Sequence, residues 1–279
     1  MTSKDLLKDA DGSINAADGS QIEDVQSRLD TREIPINRVG IKDISHPIVV
    51  QNRNGNQSAS IATFSMSVSL AHDQKGTHMS RFVQMLNESE TVVSAKHFHK
   101  LLNDMLQRLE ANAGYIEIQF PYFMEKTAPV SGVKGLMDYQ VNLIGQLENG
   151  HLDSTLEVTI PVKSLCPCSK QISEYGAHNQ RSHITVGVNC SSKLWLDELI
   201  KSVEAQASAE LFAILKRPDE KYITEQAYNN PKFVEDVVRD VANAFDNMDA
   251  INRYYVHAEN FESIHNHSAF AVIEHDKTV

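Results

Sequence analysis

The chain has 279 residues, 41% of them hydrophobic and 23% charged, with a formal net charge of -11. That is enough apolar material for one large core or two small ones, and the acidic balance argues against a general nucleic-acid binder, whose affinity comes from cations neutralising phosphates. Three cysteines are too few for a disulfide framework, and no run approaches the roughly 20 apolar residues that span a bilayer, so the expectation is a cytoplasmic protein with reduced thiols and no membrane contact.

Residues 1–25 are rich in Asp, Ser, Gly and Ala, a composition expected to be disordered. Order is expected from about residue 26. ASIATFSMSVSLAHD (59–73) alternates as a strand, MSRFVQMLNE and SAKHFHKLLNDMLQRLEAN carry helical spacing, and GYIEIQFPYFM and GLMDYQVNLIGQLE return to alternation. The second half repeats that order. HLDSTLEVTIPVKSL and RSHITVGVNCS read as strands, LWLDELIKSVEAQASAELFAILKR (194–217) and NPKFVEDVVRDVANAFDNM as helices, and RYYVHAENFESIH with HSAFAVIEHD as strands. With DVQSRLDTREIPINRVGIKDISHPIVV (24–50) opening the first half, each half reads strand, strand, helix, helix, strand, strand. In the last helix Phe233, Val234, Val237, Val238, Val241 and Phe245 make one apolar stripe, with Glu235, Asp236, Arg239 and Asp240 off it. Pro231 suits a first turn, and Asn229 or Asn230 suits a cap. Helices segregated on one face of antiparallel strands imply an α+β architecture. The expected units are 26–150 and 151–279.

SLCPCSKQISEYGAHNQRSHITV (164–186) holds two of the three cysteines. Cys166 and Cys168 bracket Pro167, which lacks the Cys-x-x-Cys redox spacing. Proline ends a strand here and turns Cys168 away, leaving Cys166 as the thiolate that can face a site. A buried inert thiol is the alternative, against which stands His178, twelve residues on in a polar loop that leads to His183. HAENFESIHNHSAF (257–270) gathers His257, Glu259, Glu262, His265 and His267. If strand continues there, His265 and His267 share a face; histidines that merely face solvent are the alternative. KRPDEKYITEQAYNNPKF (216–233) places Asp219, Glu220 and Glu225 in an expected loop. Mixed Cys, His and carboxylate ligands suit zinc or another divalent first-row metal. Spacing alone indicates a possible metal site and no reaction.

GTHMSRF (76–82), PCSKQISEYGAHNQRSH (167–183), ESIHNHSA (262–269) and DVQSRLDTREIPINRVGIKDISHPI (24–48) resemble the signatures of the type IB GTP cyclohydrolases, a likeness that covers nearly the whole chain after residue 25. The resemblance implies a tunnelling fold with two strand-strand-helix-helix-strand-strand units per subunit, a homotetramer, and conversion of GTP to 7,8-dihydroneopterin triphosphate and formate, the entry to folate-type pterins. It also implies Cys166, His178 and Glu220 as metal ligands, with His265 a metal-proximal or catalytic histidine. Glu262 is implied as a further catalytic group and Glu235 as the anchor of the guanine edge. The ion would be Zn2+, Mn2+ or Fe2+.

These residue types fit that chemistry. Hydroxide is scarce at neutral pH and a divalent ion makes it available, while a neutral histidine can carry protons. The carboxylate of Glu235 can accept from guanine N1–H and the 2-amino group together. A triphosphate needs cations despite the acidic total, and Lys75, Arg81, Lys170 and Arg181 stand near the signature segments, where ordinary solubilising charge is the alternative. Two competing functions remain at this level. One is an NADPH-dependent oxidoreductase of the same fold that reduces a nitrile through a nucleophilic cysteine. The other is a non-catalytic protein with a structural metal, which would close four positions with protein ligands.

Overall fold

The computed structural model describes residues 14–15, 21–22, 24–89 and 92–279. Most of residues 1–25, expected to be disordered, fall outside the described set. Within that stretch β1 (Ile14–Asn15) pairs antiparallel with β2 (Gln21–Ile22), and a single 3-10 turn (Val25–Ser27) follows.

Alternation decides the first half. In β4 (Gln57–Leu70) Ala62, Phe64, Met66, Val68 and Leu70 are buried while the residues between them are not. The same period of two runs through β6 (Ala113–Thr127) and β7 (Lys134–Glu148). β3 (Ile36–Gln51) pairs with β4, and β5 (Val92–Val93) adds a short parallel edge to β3. Between β4 and β6 come α1 (Met79–Glu88) and α2 (Ala95–Leu109). Ser94 caps α2 by accepting from the His97 amide, and Glu110 closes the helix in the left-handed region at φ 53°. Gly145 of β7 lets α2 lie close, since a Cβ there would sit 2.3 Å from the Phe98 ring.

The second half holds β8 (His151–Leu165), α3 (Pro167–Ile172), β9 (Asn179–Cys190), α4 (Leu196–Glu204), β10 (Ala209–Glu210), α5 (Arg217–Asn229), α6 (Val234–Asp246), β11 (Ile251–Asn260) and β12 (Ala269–Asp276). The sheet order is β12-β11-β9-β8-β7-β6-β4-β3-β5, with β10 on β8. β7 pairs directly with β8, so the sheet runs unbroken from the first half into the second. α1, α2, α4 and α6 cover one face, and their side chains join Phe64, Ile116, Val141, Val158, Ile184 and Val256 in one core. The architecture is α+β, as expected.

Three local expectations are corrected. The helix expected over 194–217 stops at Glu204. β7 parts from β8 beyond Gln140 and Thr159, and Ala209 and Glu210 pair with Lys163 and Val162 in the vacated place, so sheet pairing overrides helical spacing. Residues 217–229 form α5 rather than a loop: Pro218 suits the first turn, and the Asp219 carboxylate accepts from the Lys216 amide at 2.8 Å. The α6 stripe is buried at Val234, Val237, Val238, Val241 and Phe245, but Phe233 is the N-cap and exposed. Neither Asn229 nor Asn230 caps α6, because they end α5; Asp236 instead accepts from the Phe233 amide at 3.0 Å.

Candidate functional site

The carboxyl end of β8 is where polar side chains enter the helix-covered face. Ser164, Ser182 and Asn260 occupy inward positions of three adjacent strands, all buried, and are joined by Ser164 Oγ···Ser182 Oγ at 2.7 Å and Ser182 Oγ to Asn260 Oδ1 at 2.7 Å. Gln180 continues the row one inward position further along β9, at 9% exposure. An apolar core needs no such groups, and these hydrogen bonds are what make them tolerable there.

Beyond that polar row the chain places Cys166 and His178 side by side. Pro167 breaks β8 and opens α3 at its first turn, which leaves Cys166 as the half-buried N-cap and Cys168 exposed on the helix. The Cys166 amide donates to the His178 carbonyl at 3.2 Å, and the His178 amide donates to Ser169 Oγ at 3.2 Å, so a closed loop ties the two residues together. His178 Nδ1 lies 3.0 Å from Gln180 Oε1 and 3.2 Å from Ser263 Oγ, and Gln180 Nε2 donates to Glu262 Oε1 at 3.3 Å. Cys166, His178 and Glu262 therefore meet at one end of the sheet. Cys190, at the far end of β9, has its thiol pushed up to about 11 by burial and belongs to the core.

The loop 261–268 corrects another expectation, since strand does not continue through ESIHNHS. The Phe261 amide donates to the Arg181 carbonyl at 3.1 Å, and the chain then leaves the sheet. His265 and His267 still come together, stacked with ring centroids 5.1 Å apart, but by loop curvature rather than strand parity. His183 is a strand residue of β9, as the alternation of RSHITVGVNCS implied, and is half-buried edge-on to Phe261 at 4.8 Å. Burial pushes its pKa down, as does the Arg181 charge, against an opposing pull from Glu259. His257 and Glu259 lie on the same open face of the sheet as His183.

The other sequence-level candidates are placed as follows. Glu235 is exposed in the first turn of α6, whose entry is fixed by the Lys232 amide donating to the Leu165 carbonyl at 3.2 Å, one residue before Cys166. Glu220, exposed in the first turn of α5, pairs with Arg217 at 3.2 Å. Its neighbour Asp219 is fully buried and is engaged by Val130 N, Ser131 N and Ser131 Oγ at 2.8, 2.8 and 2.6 Å, so it serves as an anchor to the β6–β7 turn. Lys170 bonds the Tyr228 carbonyl and sits over the Tyr228 ring. Arg81 donates to the Arg108 carbonyl at 3.0 Å, and Lys75 is exposed before α1. Both follow the end of β4, which the registers Val68↔Gly114, Gly114↔Leu147 and Leu147↔Leu152 align with the start of β8. Within one chain they lie the length of β8 from Cys166, roughly 45 Å at about 3.3 Å per residue.

Among the described residues, no group of three or more His, Cys, Asp or Glu side chains is positioned to hold a metal ion. The donor chemistry of Cys166 and His178 nevertheless fits a divalent metal, because a half-buried thiol and an imidazole whose Nδ1 is already hydrogen-bonded are carried by two residues joined through their backbones. Gln180 and Ser263 lie inside the quoted signature segments without a role assigned to them, but the inward parity of Gln180 and Ser182 in a strand is a signal that polar side chains there have partners.

A family model described as type I GTP cyclohydrolase folE2 matches residues 22–271. The chain belongs to the FolE2 family of type I GTP cyclohydrolases. It is 58% identical to GTP cyclohydrolase FolE2 of Thiobacillus denitrificans, covering 91% of this chain and 94% of that one. It is also 56% identical to GTP cyclohydrolase FolE2 of Nitrosomonas eutropha, covering 92% and 96%. Among solved structures, urate oxidase from Bacillus sp. TB-90 superposes with a TM-score of 0.52 at 5% identity, over 86% of this chain and all 100% of that one. A uricase from Bacillus fastidious gives 0.50 at 8% identity, over 87% and 94%. That likeness concerns the fold alone, and it agrees with the α+β tunnelling fold implied by the resemblance to the type IB GTP cyclohydrolases.

Proposed function

We propose that this FolE2-family chain is a GTP cyclohydrolase I of the type IB subclass, which hydrolyses GTP at guanine C8 to 7,8-dihydroneopterin triphosphate and formate in the cytoplasm. The observation that carries the reading to particular residues is the meeting of Cys166, His178 and Glu262 at one end of the sheet, through Gln180 and Ser263. Cys166, His178, Glu220 and His265 would hold a divalent metal, Zn2+ or else Mn2+ or Fe2+. The metal supplies Lewis acidity and makes hydroxide available near neutral pH for addition at C8.

The chain's own groups do the rest. Glu262 takes a proton at its carboxylate, and His265, exposed on the loop 261–268, takes and returns one at a ring nitrogen as the imidazole of guanine opens and the formamide is cleaved. Glu235 offers two acceptor oxygens to N1–H and the 2-amino group of guanine, an edge on which adenine has no such donor pair. Lys75 and Arg81 sit at the far end of the sheet from Cys166, which supports a site completed by a second copy. The assembly we infer is a homotetramer in which these cations reach the triphosphate across a subunit boundary, each subunit being built from the tandem units 26–150 and 151–279.

The test is metal analysis of the purified chain together with formate release from GTP. Formate released with metal present, lost on chelation and restored by added Zn2+ or Mn2+ is the expected result. A metal-replete tetramer that releases no formate refutes the function, and a fully active monomer on light scattering refutes the shared site.

A further inference from the structure

Gln180 does more than fill an inward strand position. Its amide lies between two groups with opposite requirements, His178 Nδ1 at 3.0 Å and Glu262 Oε1 at 3.3 Å. An ionised carboxylate can only accept hydrogen bonds, so the amide nitrogen must face Glu262. The amide oxygen then faces His178, and because that oxygen can only accept, Nδ1 must carry the hydrogen. A neutral imidazole has a single N–H, so its lone pair is left on Nε2. Ser263 Oγ, 3.2 Å from the same Nδ1, can share that hydrogen as a second acceptor. The reversed amide would set its oxygen against the carboxylate oxygen, a repulsion that no change of the His178 tautomer relieves.

The surroundings hold this arrangement. The buried Ser164–Ser182–Asn260 row fixes β9 next to Gln180, and the Arg181 carbonyl holds the root of the loop that carries Glu262 through the Phe261 amide. We propose that Gln180 is a positioning residue with two outputs: it turns the Nε2 lone pair of His178 toward the metal, and it aims the Glu262 carboxylate at the substrate. The proposal rests on the reading above that His178 is a ligand and Glu262 acts in catalysis.

Two variants separate the outputs. Gln180→Glu retains an acceptor for Nδ1–H but opposes Glu262 with a like group, whereas Gln180→Met keeps the volume and removes both bonds. Zinc affinity is measured by chelator competition on the full chain, alongside kcat and KM for GTP and the melting temperature. Gln180→Met is expected to bind zinc roughly 10- to 100-fold more weakly and to lose turnover. Gln180→Glu is expected to bind zinc like the parent while kcat falls at least about tenfold. His178→Ala is the control for the underlying reading: if it binds zinc like the parent, His178 is not a ligand and the proposal falls with it. If His178→Ala loses zinc but Gln180→Met does not, the ligand reading survives and the proposal is overturned. Equal zinc loss in both Gln180 variants, tracking the fall in melting temperature, would reduce Gln180 to a packing residue and overturn it as well.

Discussion

Replacing Lys126 with methionine should destabilise the protein strongly, and more so as pH rises. Lys126 points inward from β6, and its ammonium lies 2.7 Å from both Glu204 Oε1 at the end of α4 and Glu210 Oε2 in β10. Side-chain exposure is 6% for Lys126 and 2% for Glu204, and Tyr139 OH donates to the same Glu204 oxygen at 2.8 Å. At an effective dielectric constant of about 20, unit charges at that separation attract by about 6 kcal/mol, much of it offset by the desolvation of both ions. Removing one partner leaves the other charge buried, and the expected loss is about 3–5 kcal/mol. Glu210, more exposed at 41%, can return to water; Glu204 cannot.

The pH dependence follows from Glu204. Burial pushes its pKa above the ordinary carboxylate value, while Lys126 and Tyr139 pull it back. Without Lys126 the upward displacement grows. A carboxyl whose folded pKa is raised contributes stability that is present below its unfolded value, about 4.5, and is lost as pH rises through the folded value. Lys126→Met should therefore be only mildly destabilised near pH 4.5, where Glu204 can protonate, and show its full deficit by pH 8. Adding Glu204→Gln should recover part of the loss at pH 8. Urea unfolding followed by circular dichroism at both pH values measures this. A deficit below about 1 kcal/mol at pH 8, the scale of an exposed ion pair, or one independent of pH, would refute the argument.

Cys166→Ala should lose bound metal and turnover while Cys168→Ala, altered at an exposed helix position, keeps both; metal content and formate release in the two variants decide between them. Glu235→Gln replaces a two-oxygen acceptor by an amide that must present a donor to one guanine donor, so kcat/KM for GTP should fall roughly 10- to 100-fold with metal content unchanged; parent-level turnover would make Glu235 an ordinary solvated helix residue. Gly187→Ala would drive a Cβ to 2.2 Å from the Tyr255 ring, which crosses β9 to bond Glu157. The expected cost is about 1–3 kcal/mol of stability, largely relieved when Tyr255→Ala accompanies it, as thermal melts of the single and double variants would show.

Much of this molecule was legible in the residues alone. The period-two runs of β4, β6, β7, β8 and β9 and the stripe of α6 appear as strands and helix because burial on one face is a local property, repeated at the spacing of the element itself. Pro167 likewise ended β8 wherever the rest of the chain went, since its missing N–H and fixed φ act on its immediate neighbours. The signature segments also singled out Cys166 and His178, which the Cys166 amide and the His178 carbonyl tie together in the fold. What lay beyond reach were the outcomes of competition between distant partners. Residues 205–216 have helical spacing, yet β10 pairs with β8 because β7 diverges from that edge. Asp219 is an acidic residue like Glu220 beside it, and only the β6–β7 turn makes one an anchor and leaves the other exposed. Gln180 meets Glu262 across 82 residues, because the register of β9 against β11 and the turn at Phe261 bring one amide and one carboxylate within hydrogen-bond reach, a coincidence of register that no local period encodes.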